Sequence, residues 1–422
     1  MDFKRKFPIK FWFSALLSLV VIHPNFGQHE NQNSDHEEVT HNEMDHHEGD
    51  LCAHLGHHEE EFDPANTAFH HIGNPNVYSI GPFNFPLPCI LYAPDHGLDI
   101  FSSGRFDFDF QGHGEGHKAY KGYVLDGGSV KRVADPSFPN EEVEIGGIAH
   151  QGEDSYVCYD GHPYKLESRS TMDGGLFGGG ITSFYDFSLT KNVVSLFLVF
   201  AFLAWVFFAV ARGYKDREGK APKGLQSFME PMFLFIQDEV AKPFLGEKYY
   251  AKYQPFLMAL FFFILGLNLF GQIPFLGNSN VTGNLAFTMA LALFTFFVVN
   301  LNGKKDYWKH VLWMPGVPAA IKAVIITPVE ILGLFIKPFT LMLRLFANIT
   351  AGHIVVLSFI GLIFIFGNSG ASIGGASLGA VVSVPLTIFM MSIELLVAFI
   401  QAFVFTILTA SYIGAAIEEH HH

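Results

Sequence analysis

The sequence predicts an all-α polytopic membrane protein with a β-rich or irregular segment on its N-terminal side. Long apolar runs dominate the chain from about residue 192 onward, whereas residues 11–104 contain no Lys or Arg. Between these parts, residues 62–190 alternate short strand-like runs with turns rich in Gly and Pro. A soluble protein with a buried helical core is the alternative, but soluble domains rarely carry five runs of about 20 apolar residues, the length of a bilayer span.

Residues 1–28 have the pattern of a signal peptide. A basic start, MDFKRKFPIK, precedes the apolar run FWFSALLSLVVI, and HPNFGQ provides a plausible cleavage region. The apolar run is short for a bilayer span, and an uncleaved membrane anchor is the alternative interpretation. Either arrangement places the segment that follows on the exterior side of a membrane.

Residues 29–61 form a segment rich in histidine and acidic residues. Low hydrophobicity and high charge favour a disordered linker. Histidine and acidic clusters also bind Zn²⁺ or Cu²⁺, and the weak candidates are His46, His47, His57 and His58. Their spacing is irregular and repeats no ligand geometry, so we favour a solvated linker without metal. A periplasmic metal-handling membrane protein remains an alternative function that depends on this segment.

The short alternating runs in residues 62–190 predict a small β-rich exterior module. Runs such as YKGYVL, SVKRV and EVEIGGIAH are separated by turn signals such as DGG and ADPS. The three cysteines, Cys52, Cys89 and Cys158, all precede the apolar half of the chain. An oxidising exterior permits one disulfide. We favour Cys89–Cys158, because Cys52 lies in the linker, and three free thiols are the alternative.

The apolar runs in residues 191–422 predict a membrane domain with about five embedded helices. The candidate spans are Val193–Ala211, Phe256–Phe275, Leu285–Leu301, a long region from Ile321 to Phe366, and Val381–Ile417.

Basic loops at 212–223 and 303–310 follow the first and third of these spans. Short basic loops stay in the cytoplasm, so we expect five crossings with an exterior N-terminal segment and a cytoplasmic C-terminus. Residues 222–246 mix apolar and charged side chains, which predicts an amphipathic helix at the cytoplasmic interface. An ordinary cytoplasmic hairpin is the alternative.

An arginine lies within the long apolar region from Phe339 to Phe366, where Arg344 is the only formal charge. A charge at the bilayer centre costs about 2.5–3.5 kcal/mol on insertion scales, and such residues usually face protein or a water-filled path. On a helix, Glu330, Lys337, Arg344 and Asn348 occupy one narrow stripe. A buried ion pair that joins two helices is the simplest structural explanation.

Other polar residues favour proton movement over a static ion pair. His353 lies nine residues beyond Arg344, about 13 Å further along the helix axis, and Glu394 and Gln401 share a face of the last helix. If the two helices are antiparallel neighbours, Gln401 is level with Arg344 and Glu394 is level with His353. His and Glu can exchange protons, whereas Arg keeps its charge and cannot relay them. The pattern therefore predicts a fixed barrier between two water paths.

The last two helices are too long to stand upright in a bilayer. Continuous helices over 339–366 and 381–417 measure about 42 Å and about 55 Å, against a hydrocarbon core of about 30 Å. They must tilt steeply or extend beyond the membrane. A tilted pair of this kind is well shaped to lie against a large cylindrical partner.

Two motifs in these helices resemble a known family. KPFTLMLRLFANITAGH (337–353) and IELLVAFIQAFVFTILTASY (393–412) are similar to segments of subunit a of F-type ATP synthases. NLFGQIPFLGNSNVTGNLAFTMA (268–290) also resembles that family's second and third spans. The likeness covers about residues 192–422, whereas the long exterior segment departs from the family pattern.

The resemblance implies a proton-translocating stator subunit beside a rotating ring of c subunits. Protons would reach a ring carboxylate through one half-channel and leave through another. Arg344 would correspond to the family's essential barrier residue, with Asn348 and Gln401 as its polar neighbours. His353 and Glu394 would form the exterior proton path, in an order that resembles mitochondrial members. Glu330 and Lys337 would correspond to polar positions on the cytoplasmic side.

The resemblance also implies which partners to expect. These are the c-subunit ring, the b subunits of the peripheral stalk, the remaining ATP synthase subunits and membrane lipid, in a bacterial inner membrane. The chain has no G-x-x-x-x-G-K-[ST] loop, so nucleotide chemistry would belong to partners and the chain alone would not be an enzyme. We expect no cofactor and no nucleic acid. A self-contained secondary transporter that binds an anionic substrate through the Arg is the alternative.

Overall fold

The computed structural model describes the chain in nine pieces, and the first of them is Cys52 alone. The others are residues 74–80, 83–108, 116–151, 154–170, 183–273, 279–312, 322–367 and 372–418. The signal peptide, nearly all of the acidic linker, and His46, His47, His57 and His58 lie outside the described residues. Within these described pieces, no group of three or more His, Cys, Asp or Glu side chains could hold a metal ion.

The N-terminal part is built from short antiparallel strands, which confirms the β-rich prediction. In chain order they are β1 (Val77–Ile80), β2 (Phe83–Pro86), β3 (Pro88–Ala93), β4 (Gly97–Ser102), β5 (Lys118–Ala119), β6 (Tyr123–Asp126), β7 (Ser129–Val133), β8 (Val143–Glu144), β9 (Gly147–Gln151), β10 (Asp154–Tyr159), β11 (His162–Glu167) and β12 (Tyr185–Asp186).

Two sheets and two smaller strand pairs organise these strands. A five-stranded sheet has the order β6-β7-β11-β10-β9, and a three-stranded sheet has the order β12-β3-β4. Alternation along β3 turns Cys89, Leu91 and Ala93 inward, where they pack with Phe106, Leu125 and other apolar residues. We call this part, 74–190, the exterior module after its predicted location, which stays a prediction.

The disulfide prediction is wrong. The bond joins Cys52 to Cys158, and Cys89 is free and buried. Cys89 faces the core of the three-stranded sheet from β3, whereas Cys158 lies on β10 of the other sheet. The two cysteines therefore lie on strands of different sheets, and Cys158 is bonded to Cys52 instead. Burial raises the pKa of the Cys89 thiol to about 12, so it stays protonated at neutral pH.

Peptide mapping under non-reducing conditions should recover a cross-link between Cys52 and Cys158 and leave Cys89 unpaired. We expect Cys89 to react with an alkylating reagent only after the protein is unfolded, because its side chain is inaccessible and its thiol protonated. The matched measurement is alkylation of the native and urea-unfolded chain, followed by mass spectrometry. A Cys89–Cys158 peptide, or rapid modification of native Cys89, would contradict this assignment.

The C-terminal part is helical. Its helices are α1 (Lys191–Asp216), α2 (Leu225–Phe235), α3 (Lys242–Gln272), α4 (Leu285–Leu301), α5 (Lys305–Leu312), α6 (Thr327–Phe366) and α7 (Ile373–Ile417). Short π-helical turns, Ile236–Ala241 and Lys322–Ile326, precede α3 and α6.

Four helical segments among the described residues are long and apolar enough to cross a bilayer. They are Lys191–Asp216, Leu225–Gln272, Val324–Phe366 and Ile373–Ile417, and α4 adds a shorter apolar helix of 17 residues. The chain is therefore a multi-pass membrane protein. The predicted interfacial segment is helical, and a break at Gly246, whose φ of 67° lies in the left-handed region, separates it from the rest of α3. Its placement at the membrane surface stays a prediction.

The last two helices form an antiparallel pair and are longer than the sequence suggests. They comprise 40 and 45 residues, or roughly 60 and 68 Å at 1.5 Å per residue. Pro338 and Pro385 lie inside them, and each proline lacks the N–H that would donate to the preceding turn. Neither helix can stand upright within a hydrocarbon core of about 30 Å.

Candidate functional site

Arg344 lies in the middle of α6 and is half-buried. Within the residues that the structure describes, it makes no ion pair and no hydrogen bond with another group of the chain. Across the helix pair, Tyr412 of α7 is close enough to interact electrostatically with the guanidinium. Thus no ion pair among the described residues explains this arginine as a structural brace between helices.

His353 and Glu394 lie side by side on α6 and α7. His353 Nδ1 is 3.7 Å from Glu394 Oε1, and their side chains are only 12% and 6% exposed. That distance exceeds a direct hydrogen bond but is within the range of an ion pair when the imidazole is protonated. Gly352 makes the close approach possible, because a Cβ there would lie 3.0 Å from the same carboxylate oxygen.

Two amides of α3 hold the backbone of α7 around Glu394. Gln272 Nε2 donates to the Glu394 carbonyl oxygen at 2.9 Å, and Asn268 Nδ2 donates to the Ala398 carbonyl oxygen at 3.2 Å. Neither amide was predicted from the sequence as part of the site. Their four-residue spacing in the apolar C-terminal half of the helix places them on one face, and that spacing could have identified them.

The same contacts establish the register of α6 against α7. Glu394 is opposite Gly352 and His353. In an antiparallel pair, moving seven residues forward on α7, from Glu394 to Gln401, matches moving seven residues back on α6 from His353. Gln401 is therefore opposite about position 346. Gln401 is buried and Asn348 is exposed. Gln401 therefore lies at a level between Arg344 and Asn348.

A small cavity with a largely apolar lining and a few polar side chains lies on the side of Arg344 away from the exterior module. Lys337 Nζ is 5.4 Å from the centre of the Tyr412 ring, and Tyr307 hydroxyl donates to Asn300 Oδ1 at 3.2 Å. These four residues line a cavity of about 20 Å³ between α4, α5, α6 and α7, which is room for about one water molecule. Glu330 lies within electrostatic range of Tyr307. Only Lys337 and Glu330 were expected here from the sequence.

A second set of polar groups connects His353 with the exterior module. A Cβ on Gly271 of α3 would be 2.7 Å from the Ser279 carbonyl oxygen and 4.0 Å from His353 Nε2, so all three residues are close. Ser279 hydroxyl donates to Asn192 Oδ1 at 2.8 Å, and Asn192 N–H donates to Asn74 Oδ1 at 3.0 Å. Polar groups therefore lie in the region between the buried His–Glu pair and the module, and hydrogen bonds join those from Ser279 to Asn74.

Several buried polar atoms near the pair have no hydrogen-bond partner among the described residues. They include Asn268 Oδ1, Asn280 Nδ2 and Glu394 Oε1. Buried polar atoms in proteins are normally satisfied by protein groups or by water. We therefore expect water beside Glu394. Titratable side chains joined by water can pass protons, whereas a guanidinium holds its charge.

Comparisons with known proteins cover both parts of the chain. The family described as ATP synthase A chain matches residues 193–414, and a domain of unknown function, DUF8433, matches residues 67–174. Among similar proteins, ATP synthase subunit a of Chloroherpeton thalassium is 40% identical over 244 residues, or 56% of this chain and 69% of the relative. The subunit a of Myxococcus xanthus is 39% identical over 260 residues, or 60% and 81% of the two chains.

Proposed function

The chain belongs to the ATP synthase A chain family and is a membrane-sector subunit of ATP synthase, and from this premise we propose that it is the proton-translocating stator of a rotary F-type enzyme. In this proposal it forms two half-channels against a ring of c subunits, and Arg344 prevents direct proton leak between them. The enzyme's nucleotide chemistry belongs to other subunits, and ATP synthesis and proton transport are functions of the whole complex.

The unpaired state of Arg344 is the observation that carries this proposal. A half-buried guanidinium at the middle of an apolar helix is costly unless an anionic group or water compensates it. The described residues supply no carboxylate to Arg344. A carboxylate on a neighbouring rotor subunit would satisfy it, and the attraction would favour release of that carboxylate's proton.

The two polar clusters support separate half-channels. His353, Glu394 and Gln272 lie on the module side of Arg344, and Lys337 and Tyr412 lie on the other side. Arg344 and Asn348 separate the clusters along α6. A proton that moves from one cluster to the other would have to pass a permanent positive charge, which opposes it. Transfer to a mobile carboxylate on the rotor avoids this barrier.

An exposed apolar surface on the helix pair is the face that we assign to the c-ring. Ile336 and Leu343 of α6, and Ile388 and Leu395 of α7, are exposed around the level of the site. Asn348 is exposed as well. Surfaces of this kind on a membrane protein contact lipid or another subunit. The remaining apolar surface would contact lipid and the b subunits of the peripheral stalk.

The proposed orientation follows the basic loops. The loops after α1 and α4 carry Lys and Arg, which places them in the cytoplasm. The exterior module then faces the periplasm of a bacterial inner membrane, and the C-terminus lies in the cytoplasm. The His353–Glu394 pair would therefore belong to the exterior half-channel, and Lys337 and Glu330 to the cytoplasmic one.

Replacing Gln272 with alanine tests the assignment of the exterior half-channel. The change removes the hydrogen bond to the Glu394 backbone, worth about 0.5–1.5 kcal/mol, and lets Glu394 move relative to His353. We expect ATP-driven proton pumping in membrane vesicles to slow about 2- to 10-fold, measured by quenching of a pH-sensitive dye. ATP hydrolysis by the detached soluble head should not change.

Gln254→Ala is the matched control for this experiment. It also removes one glutamine hydrogen bond from α3, to Gln237, but near the middle of the helix and away from Glu394. We expect it to leave pumping near the level of the unmodified protein. Equal pumping by the Gln272 and Gln254 variants would show that Gln272 does not contribute to the exterior half-channel.

A further inference from the structure

The hairpin β1–β2 runs alongside the first membrane helix and points toward the bilayer. Lys191 N–H donates to the Pro75 carbonyl oxygen at 2.9 Å, and Asn192 N–H donates to the Asn74 side chain. Three residues after Pro75, the Tyr78 side chain lies beside Ser195. The strand and the helix therefore advance in the same direction, away from the module and along the membrane span.

The end of this hairpin is apolar and exposed. Cross-strand pairing places Tyr78 opposite Phe85 and Ile80 opposite Phe83, so these four residues share one face. Tyr78 is buried, but Ile80, Phe83 and Phe85 are 40%, 62% and 49% exposed. A water-facing hairpin normally carries polar side chains on its exposed face. The three exposed apolar residues indicate that this face of the hairpin is not in contact with water.

The depth of the hairpin can be read from α1. The apolar part of that helix, 193–211, is about 28 Å long, which matches the hydrocarbon core, so its first residues mark the module-side boundary. Ser195 lies about 3 Å inside this boundary. Ile80 is two residues past Tyr78, up to about 7 Å further along the strand. The exposed helix residues at that depth are Phe197 and Leu198, which face the lipid surrounding a membrane span.

We propose that the β1–β2 hairpin inserts into the module-side leaflet next to α1 and that lipid acyl chains cover Ile80, Phe83 and Phe85. The apolar face of the hairpin then continues the lipid-facing surface of α1. A depth of about 5–10 Å is typical of interfacial segments. It also keeps the unpaired strand edges within reach of water and headgroups, as backbone groups in a membrane require. The hairpin would thereby hold the exterior module against the membrane surface.

A nitroxide spin label at position 83 tests this proposal. The intact ATP synthase complex containing Phe83→Cys would be labelled, reconstituted into phosphatidylcholine liposomes and measured for collisions with oxygen and with a water-soluble nickel chelate. Oxygen concentrates in lipid and the chelate stays in water. We expect the ratio of oxygen to chelate collisions at position 83 to be severalfold higher than at a water-exposed site. Ile80→Cys, on the paired strand, should give the same result.

Glu141→Cys is the matched control, because Glu141 is exposed on the same module. The unmodified complex provides the blank for labelling of other cysteines, and Cys89 is too buried to react. A ratio at position 83 equal to that at position 141 would overturn the proposal. So would a label that is immobilised and shielded from both reagents, since that result would show a protein partner on this surface.

Discussion

Arg344→Ala is expected to abolish ATP-driven proton pumping while the soluble head continues to hydrolyse ATP. Without the guanidinium, no fixed positive charge would favour release of the proton from the rotor carboxylate at the correct point of the cycle. The barrier between the half-channels would also be lost. Proton flow would become uncoupled from rotation. Inverted membrane vesicles would show no ATP-driven acidification. After removal of the soluble head, the same vesicles should still allow passive proton flux, because the polar clusters on both sides remain.

Arg212→Ala is the control for this variant. It also removes an arginine from a membrane helix, but Arg212 is exposed near the end of α1 and far along the chain from the site. We expect its pumping to be normal. Immunodetection of the chain and of its partner subunits would establish that both variants assemble. Normal coupled pumping by an assembled Arg344→Ala complex would refute the stator mechanism.

Glu394→Gln is expected to lower both passive and ATP-driven proton flux at least about tenfold. The amide has nearly the same shape but cannot take up and release a proton, so the exterior path would lose a relay group. His353→Ala should act on the same path and lower flux in both assays. The contrast with Arg344→Ala is informative, because loss of a half-channel blocks passive flux whereas loss of the barrier does not.

Two further variants sharpen this second test. Ser392→Ala changes an exposed residue of α7 whose hydroxyl bonds only to its own helix, and we expect normal flux. The exchange variant His353→Glu with Glu394→His keeps one imidazole and one carboxylate at the same contact. It should recover part of the flux lost in the single variants. If Glu394→Gln conducts protons normally, the pair does not lie on the path.

Much of the fold could be predicted from hydrophobic patterning. Apolar runs predict the helices that begin at Lys191, Leu285 and Ile373, and alternation with turn signals predicts the strands of the module. The boundaries were less predictable, because α3 begins at Lys242, well before the apolar run, and α7 begins at Ile373, where the Ser372 side chain caps its first turn. The disulfide was mispredicted because cysteine spacing does not show which face of a strand each thiol occupies.

The candidate site was predictable in part. Helical geometry alone suggested that Glu394 is level with His353 if the last two helices are antiparallel, and the structure places them 3.7 Å apart. Gln272, Asn300 and Tyr412 were missed, since each comes from a segment whose position against α6 or α7 no local pattern reports. The roles of all these residues in proton movement stay predictions until the variants are measured.

By itself, the sequence determined that this chain crosses a membrane several times and carries one permanent cation deep in an apolar helix. Those properties follow from transfer free energies and from helical periodicity, which depend on neighbouring residues in the chain. Only the tertiary structure decided that Arg344 has no internal partner within the described residues, that Cys52 pairs with Cys158, and that β1–β2 runs along α1. Each of these depends on contacts between segments distant in sequence, and such contacts form only when the whole chain packs.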